Sequence, residues 1–240
     1  SSAASDVYKR QGYRRIRDDL DKYYHTPVND KRTLRICRGL GIQSVVKHAP
    51  HGCTRAASSP RQLAENVLDR QFYADRPNEK WLTDVTEFHY YTGTNMRKLY
   101  LSAILDLCDR RIVSFVIRDT NDAALVHRTL AQALEGNPGA RPLLHSDRGS
   151  AYTTQIFHDK LAAAGITQSM SRVGKCIDNG PMEGFWGILK RERYYGRRFT
   201  SREQLVKMIQ EYITYYNFHR LQRGLGVRTP MEVHDRLLAA

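Results

Sequence analysis

The stretch Leu99-Tyr100-Leu101-Ser102-Ala103-Ile104-Leu105 is apolar at almost every position. Such a run suits a central strand covered on both faces. Strand-like segments stand on either side, at about 81–89 and 111–118, and the central one extends over about 98–107. Asp109-Arg110-Arg111 makes the turn between the second and third. The pattern then changes period. A helix is expected at about 121–135, closed by Gly136-Asn137-Pro138-Gly139. A short strand follows at 142–145, a helix at about 154–164 ended by Gly165, and a strand at 166–170. Three antiparallel strands followed by alternating helices and strands predict an α/β fold with a mixed five-stranded sheet flanked by helices.

Residues 171–177 read as a mobile loop containing Gly174. A helix then starts at Asn179 or Gly180, with Pro181 in its first turn, where its missing N–H costs nothing. Met182, Phe185, Trp186 and Leu189 form its apolar stripe, expected to pack on the sheet. Glu183, Gly187 and Lys190 share the adjacent face. Lys190 lies two turns beyond Glu183, roughly 10 Å along the axis. A last helix is expected over about 201–216.

Upstream, Tyr13, Ile16, Leu20 and Tyr24 share a helical face, and Thr26-Pro27-Val28-Asn29 breaks that helix. Asn29 can cap a second helix that carries Arg32, Arg35 and Arg38 at spacing three. This module is either a basic recognition face or a solvated hairpin. Residues 43–77 read as a linker with one helix near 60–70. Residues 1–11 contain Asp6-Val7-Tyr8-Lys9-Arg10-Gln11, which reads as a sequencing or assembly scar and is set apart from the fold. The expected organisation is therefore 12–42 helical module, 43–77 linker, 78–195 core and 196–240 helical extension.

The charge of +13 is unevenly spread. Residues 1–77 hold 15 basic and 8 acidic residues, residues 78–183 hold 12 of each, and residues 184–228 hold 10 and 3. Basic flanks around a neutral middle suit a polyanion that spans both flanks. No apolar run is long enough to cross a membrane. Cys37, Cys53, Cys108 and Cys176 are scattered, as reduced thiols of a cytosolic protein would be. His48, His51 and Cys53 are close enough to suggest zinc, but no fourth ligand is evident.

The chemistry-bearing residues are three acids. Asp84 lies mid-strand, where a charge needs a partner or a metal. Asp147 follows the short strand and precedes Gly149. Glu183 stands in the first turn of the Pro181 helix, with 35 residues between it and Asp147. Taken singly, each could be structural. Together, three carboxylates can hold two divalent cations about 3.5–4 Å apart and act on phosphodiesters. An all-carboxylate site with no His/Cys cluster fits Mg²⁺ or Mn²⁺ better than zinc.

Trp81-x-x-Asp84-x-Thr86, His145-Ser146-Asp147-x-Gly149-x-x-Tyr152 and Ser169-Met170-Ser171-Arg172-x-Gly174-x-Cys176-x-Asp178-Asn179-x-x-x-Glu183-x-Phe185-x-x-x-Leu189-Lys190 carry a resemblance. They are similar to the DDE transposases of bacterial insertion sequences, and more narrowly to the second-frame protein of the insertion-sequence-three family, itself similar to retroviral integrases. Tyr215-Tyr216-Asn217-x-x-Arg220 and Thr229-Pro230 resemble that family's C-terminal signature, and Gly12-Tyr13-Arg14-Arg15-Ile16 its small helical domain. The resemblance implies an RNase H-like core with Asp84, Asp147 and Glu183 as catalytic metal ligands for two Mg²⁺ or Mn²⁺ ions. It implies cleavage at the element's ends and direct attack of the freed 3′-OH groups on another phosphodiester. Lys190 would contact DNA near the metal, and Arg172, Lys175, Arg193, Arg220, Arg32, Arg35 and Arg38 are the other expected DNA contacts. The implied partners are DNA, further copies of this chain, and a first-frame protein or a fusion with it. The implied place is the bacterial cytoplasm, with the nucleoid. Ala151 stands where Gln is common in the family, and Gly184 where Ser is common; neither is an expected ligand. Two other readings remain: a non-catalytic DNA-binding remnant that competes for element ends, and a nuclease for RNA–DNA hybrids, against which the spacing and the C-terminal signature argue.

Overall fold

A computed structural model describes residues 12–44 and 63–239 of the chain. The segment read as a scar and the His48/His51/Cys53 group fall outside these residues. Three strands form an antiparallel meander: β1 (Lys80–Thr92), β2 (Asn95–Asp106) and β3 (Ile112–Arg118). β1 and β2 stay paired well past the expected ends, from Trp81 opposite Asp106 to Thr92 opposite Asn95. Polar residues at the tip hide this pairing from a periodicity argument. Gly93 has φ 63°, as a two-residue hairpin turn requires.

Helix α3 (Ala123–Glu135), β4 (Leu143–Ser146), α4 (Gln155–Ala163) and β5 (Thr167–Met170) follow. The sheet order is β3-β2-β1-β4-β5, with β4 parallel to both β1 and β5. Alternation along β1 explains the two cores. Trp81 packs with Ile104, Val126, Leu130, Phe157 and Leu161 under α3 and α4. Leu82 and Phe88 face the other way, toward α5 (Gly180–Leu189) and α6 (Arg202–Phe218). The α5 stripe of Met182, Phe185, Trp186 and Leu189 is buried there as the periodicity requires. A five-residue π-helical turn, Lys190–Tyr194, continues α5.

The sequence leaves one helix unread. α7 (Pro230–Leu238) begins with a reciprocal capping box between Thr229 and Glu232, with Pro230 in its first turn. The Thr-Pro pair is thus a helix start.

At the other end stand α1 (Tyr13–Tyr24) and α2 (Asp30–Gly39), the latter capped by Asn29, whose side chain accepts from the Arg32 N–H at 2.8 Å. The face of α1 that docks differs from the expected apolar stripe. Tyr24 is exposed, whereas Ile16, Asp18 and Asp19 are buried. The docking is ionic: Arg15 bonds Glu192 at 2.7 Å and Arg223 bonds Asp18 at 2.8 Å. Charges paired on two separate elements bury what periodicity leaves in solvent.

No helix appears over residues 63–70. This segment runs beside β5, with the Met170 N–H donating to the Glu65 carbonyl and the Leu68 N–H to the Ser169 hydroxyl. Loop 171–177 is latched to the same segment: Asp178 is fully buried and accepts from Arg172 and Arg70. Hydrogen bonds from Arg172, and then from Arg70, hold the Asp178 carboxyl well below the usual carboxylate range, against its burial. No helix among the described residues is long and apolar enough to cross a membrane.

Candidate active site

β1 and β4 run parallel, with Leu82 opposite His145. Asp84 and Asp147 each lie two residues further on, toward the same end of these neighbouring strands. Asp84 is fixed mid-strand opposite Ala103. Its Oδ1 accepts from the Val85 N–H at 2.8 Å and its Oδ2 from the Trp186 indole N–H at 3.0 Å. Asp147 stands one residue past β4, and its Oδ1 accepts from the Gly149 N–H at 2.8 Å. A Cβ at Gly149 would lie 2.9 Å from that oxygen, so a side chain there would push the Asp147 carboxylate aside. Glu183 sits in the first turn of α5, exposed, where the helix dipole favours a negative charge.

Asp84 feels both of the other acids. Burial, and then the charge of Asp147, raise the Asp84 carboxyl; Glu183 adds to this, while the bonds from Val85 and Trp186 oppose it. Asp147 is also raised, chiefly by burial. Among the described residues, no group of three or more His, Cys, Asp or Glu side chains is placed closely enough to hold a metal ion as it stands. What the structure provides is three hard oxygen donors, one mid-strand on β1, one in the turn just past β4 and one in the first turn of α5. That donor set fits a hard divalent cation. Lys190 completes the surroundings. Its ammonium lies 5.1 Å over the Phe88 ring, burial lowers its pKa, and the charge of Asp84 works against that shift.

Beneath the acids, other motif residues turn out to be supports. Thr83 donates to the Ala103 carbonyl and meets the buried Tyr152 hydroxyl at 3.3 Å. Asn179 donates to the Thr83 carbonyl at 3.3 Å, tying the approach to α5 onto β1. His145 is buried between the hydroxyls of Ser169 and Ser171, and burial lowers its pKa to about 4, so it is a neutral strut. A Cβ at Gly184 meets nothing within 4 Å, so the departure from the family's Ser is sterically free.

The basic candidates separate into groups. Arg32, Arg35 and Arg38 are exposed along α2. Lys175 is exposed on the loop before Glu183, and Arg172 beside it is engaged with Asp178. Arg193, with Arg197, Arg198 and Lys207, lines an open cleft of about 500 Å³ between the π-helical turn and α6. Arg220 corrects the expectation. It is buried, its guanidinium bonds Glu192 at 2.9 Å, and it braces the core where a DNA contact was anticipated. Periodicity by itself makes Trp186 a packing residue. The available signal was chemical: a buried indole N–H needs an acceptor, and α5 lies across the strand that carries Asp84.

Comparison with known proteins agrees with this architecture. Two integrase core domain models match residues 74–176 and 164–230, and an HTH-like domain model matches residues 3–50. The chain is 40% identical over 211 residues to an uncharacterized transposase-like protein of Haemophilus influenzae, covering 88% of this chain and 95% of that one. It is 38% identical to the putative transposase InsK for insertion sequence element IS150 of Escherichia coli, covering 97% and 81%. It is 30% identical to transposase InsF for insertion sequence IS3A of Escherichia coli, covering 96% and 79%. Among solved structures, the simian T-cell lymphotropic virus intasome in complex with PP2A regulatory subunit B56 gamma matches with a TM-score of 0.56 at 18% identity, covering 90% of this chain and 73% of that one. The HTLV-2 integrase catalytic core in complex with magnesium matches at 0.50 and 20% identity, covering 67% and 98%. The fold is RNase H-like, and the chain belongs to the transposases of the insertion-sequence-three family, enzymes of DNA cleavage and strand transfer.

Proposed function

We propose that Asp84, Asp147 and Glu183 are the metal ligands of this transposase and hold two ions of Mg²⁺ or Mn²⁺. The observation that carries this reading is that Asp84 lies within electrostatic reach of both Asp147 and Glu183, each of which raises its carboxyl. When bound, the ions supply Lewis-acid activation of the attacking oxygen and charge neutralisation at the leaving oxygen. The chain's own residues do the rest. β1 and the Gly149 turn fix Asp84 and Asp147, α5 delivers Glu183, and Lys190 offers a cation to a DNA phosphate on the same side. The reaction is cleavage at the element's ends followed by attack of the freed 3′-OH, with no covalent enzyme–DNA intermediate.

The exposed arginines of α2 contact DNA at the element's ends, which the HTH-like match supports. Synapsis of two ends calls for at least a dimer, and end recognition calls for a first-frame protein, separate or fused. The working location is the nucleoid in the bacterial cytoplasm. The test is nicking of supercoiled plasmid with Mg²⁺ or Mn²⁺. Wild type should nick, and Glu183→Gln and Asp147→Asn should fall to the metal-free background while keeping wild-type melting. Nicking retained in Asp147→Asn removes that residue from the role. DNA binding without nicking in the wild type, even with the first-frame protein added, supports a non-catalytic remnant instead.

A further inference from the structure

Two donors hold the Asp84 carboxylate. One is local, the backbone N–H of Val85 on Oδ1 at 2.8 Å. The other comes from 102 residues away, the Trp186 indole N–H on Oδ2 at 3.0 Å. An aspartate χ2 torsion is soft and roughly two-fold, so an unclamped carboxylate samples a broad range of planes. Held at both oxygens, its plane is fixed. Each oxygen still has a second lone-pair site for a cation.

Trp186 can act this way because it cannot itself turn. It is 6% exposed, it packs on Phe185 at 5.0 Å between ring centroids, and it belongs to the core under α5. It also stands three residues after Glu183, just under one helical turn and roughly 4.5 Å along the axis. One rigid turn of α5 therefore presents the acid at position 183 and grips the acid at position 84. The same hydrogen bond, together with that from Asn179 to the Thr83 carbonyl, ties α5 to β1. The other tryptophan, Trp81, faces the opposite core and donates to Asp106 at 3.2 Å, so packing alone does not send an indole to a site acid.

We propose that Trp186 is a positioning residue of the metal site, whose indole N–H fixes the Asp84 carboxylate plane and its distance from Glu183. The proposal rests on the reading of Asp84 as a metal ligand. Loss of such a supporting hydrogen bond typically weakens metal affinity 10–100-fold.

The test is calorimetric titration of Mn²⁺ into the metal-free full chain, with thermal melting in parallel. The variants are Trp186→Phe, which keeps a ring and removes the donor, Trp186→His, which restores a ring N–H, and Asp84→Asn as the ligand control. We expect Trp186→Phe to bind Mn²⁺ at least tenfold more weakly with little change in melting, and Trp186→His to recover most of the loss. Wild-type affinity in Trp186→Phe overturns the proposal, as does an equal loss in Phe and His variants, which would make the indole a packing element. If Trp186→Phe does not fold, Trp186→His decides: near-wild-type affinity supports the role, and lost affinity in a folded protein overturns it. Unchanged affinity in Asp84→Asn, or no Mn²⁺ binding by the wild type, removes the metal-site reading itself and the Trp186 role with it.

Discussion

Glu192 is a half-buried carboxylate kept charged by two arginines, Arg15 and Arg220. Burial works against the charge, but Arg220 and Arg15 outweigh it and bring the pKa down to about 2. Tyr212 adds a hydrogen bond at 2.9 Å. Arg220 is buried, so removing Glu192 leaves a buried guanidinium without its carboxylate, at a cost that approaches the roughly 3–5 kcal/mol of a fully buried pair. Glu192→Gln should lose stability of that order in urea unfolding at neutral pH. The sign of the pH dependence follows from the lowered pKa. The contribution is full above the ordinary glutamate value of 4.5 and is lost as pH falls through about 2. Thermal melts over that window should therefore fall less steeply in Glu192→Gln than in the wild type; parallel curves would show that Glu192 is not the group responsible.

The element scale explains why the C-terminal signature exists. Asn217, near the end of α6, accepts from the Ile112 N–H and donates to the Ile112 carbonyl, both at 2.9 Å. It behaves as one residue of an added strand on the open edge of β3. Asn217→Ala would strand both backbone groups, at about 1–3 kcal/mol. The Thr229 capping box governs the start of α7, and Thr229→Ala should cost about 1 kcal/mol. Urea midpoints check both, with Asn217→Ala expected to show the larger shift. Neither change should alter Mn²⁺ affinity, since neither residue touches the site acids. A loss of affinity in either would mean that α6 or α7 helps to set the carboxylates.

Across the whole molecule, ionic contacts join the ends of the chain to the core. Arg15 and Asp18 of α1 meet Glu192 and Arg223, which leaves the arginines of α2 facing solvent. Each phosphate contact adds about 0.9 to the slope of log affinity against log salt for duplex DNA. Replacing Arg32, Arg35 and Arg38 by Gln together should lower that slope by up to about 3 in a fluorescence anisotropy titration, with similar losses on unrelated duplexes if the contacts are to phosphates. An unchanged slope would assign this face to solvent, the simple-hairpin alternative.

Periodicity, capping and turn residues are local, and what they control was legible: the strand and helix order, the Asn29 cap, the buried α5 stripe, and the spacing of Asp84, Asp147 and Glu183. The residues alone gave the fold class, and their pattern gave the family. What they could not give was partnership. The long β1–β2 pairing, the strap at 63–70 beside β5, the burial of Arg220 on Glu192 and the grip of Trp186 on Asp84 each join groups far apart in the chain. The energy of a buried charge or indole N–H depends on which group arrives opposite it, and only the packed fold decides that.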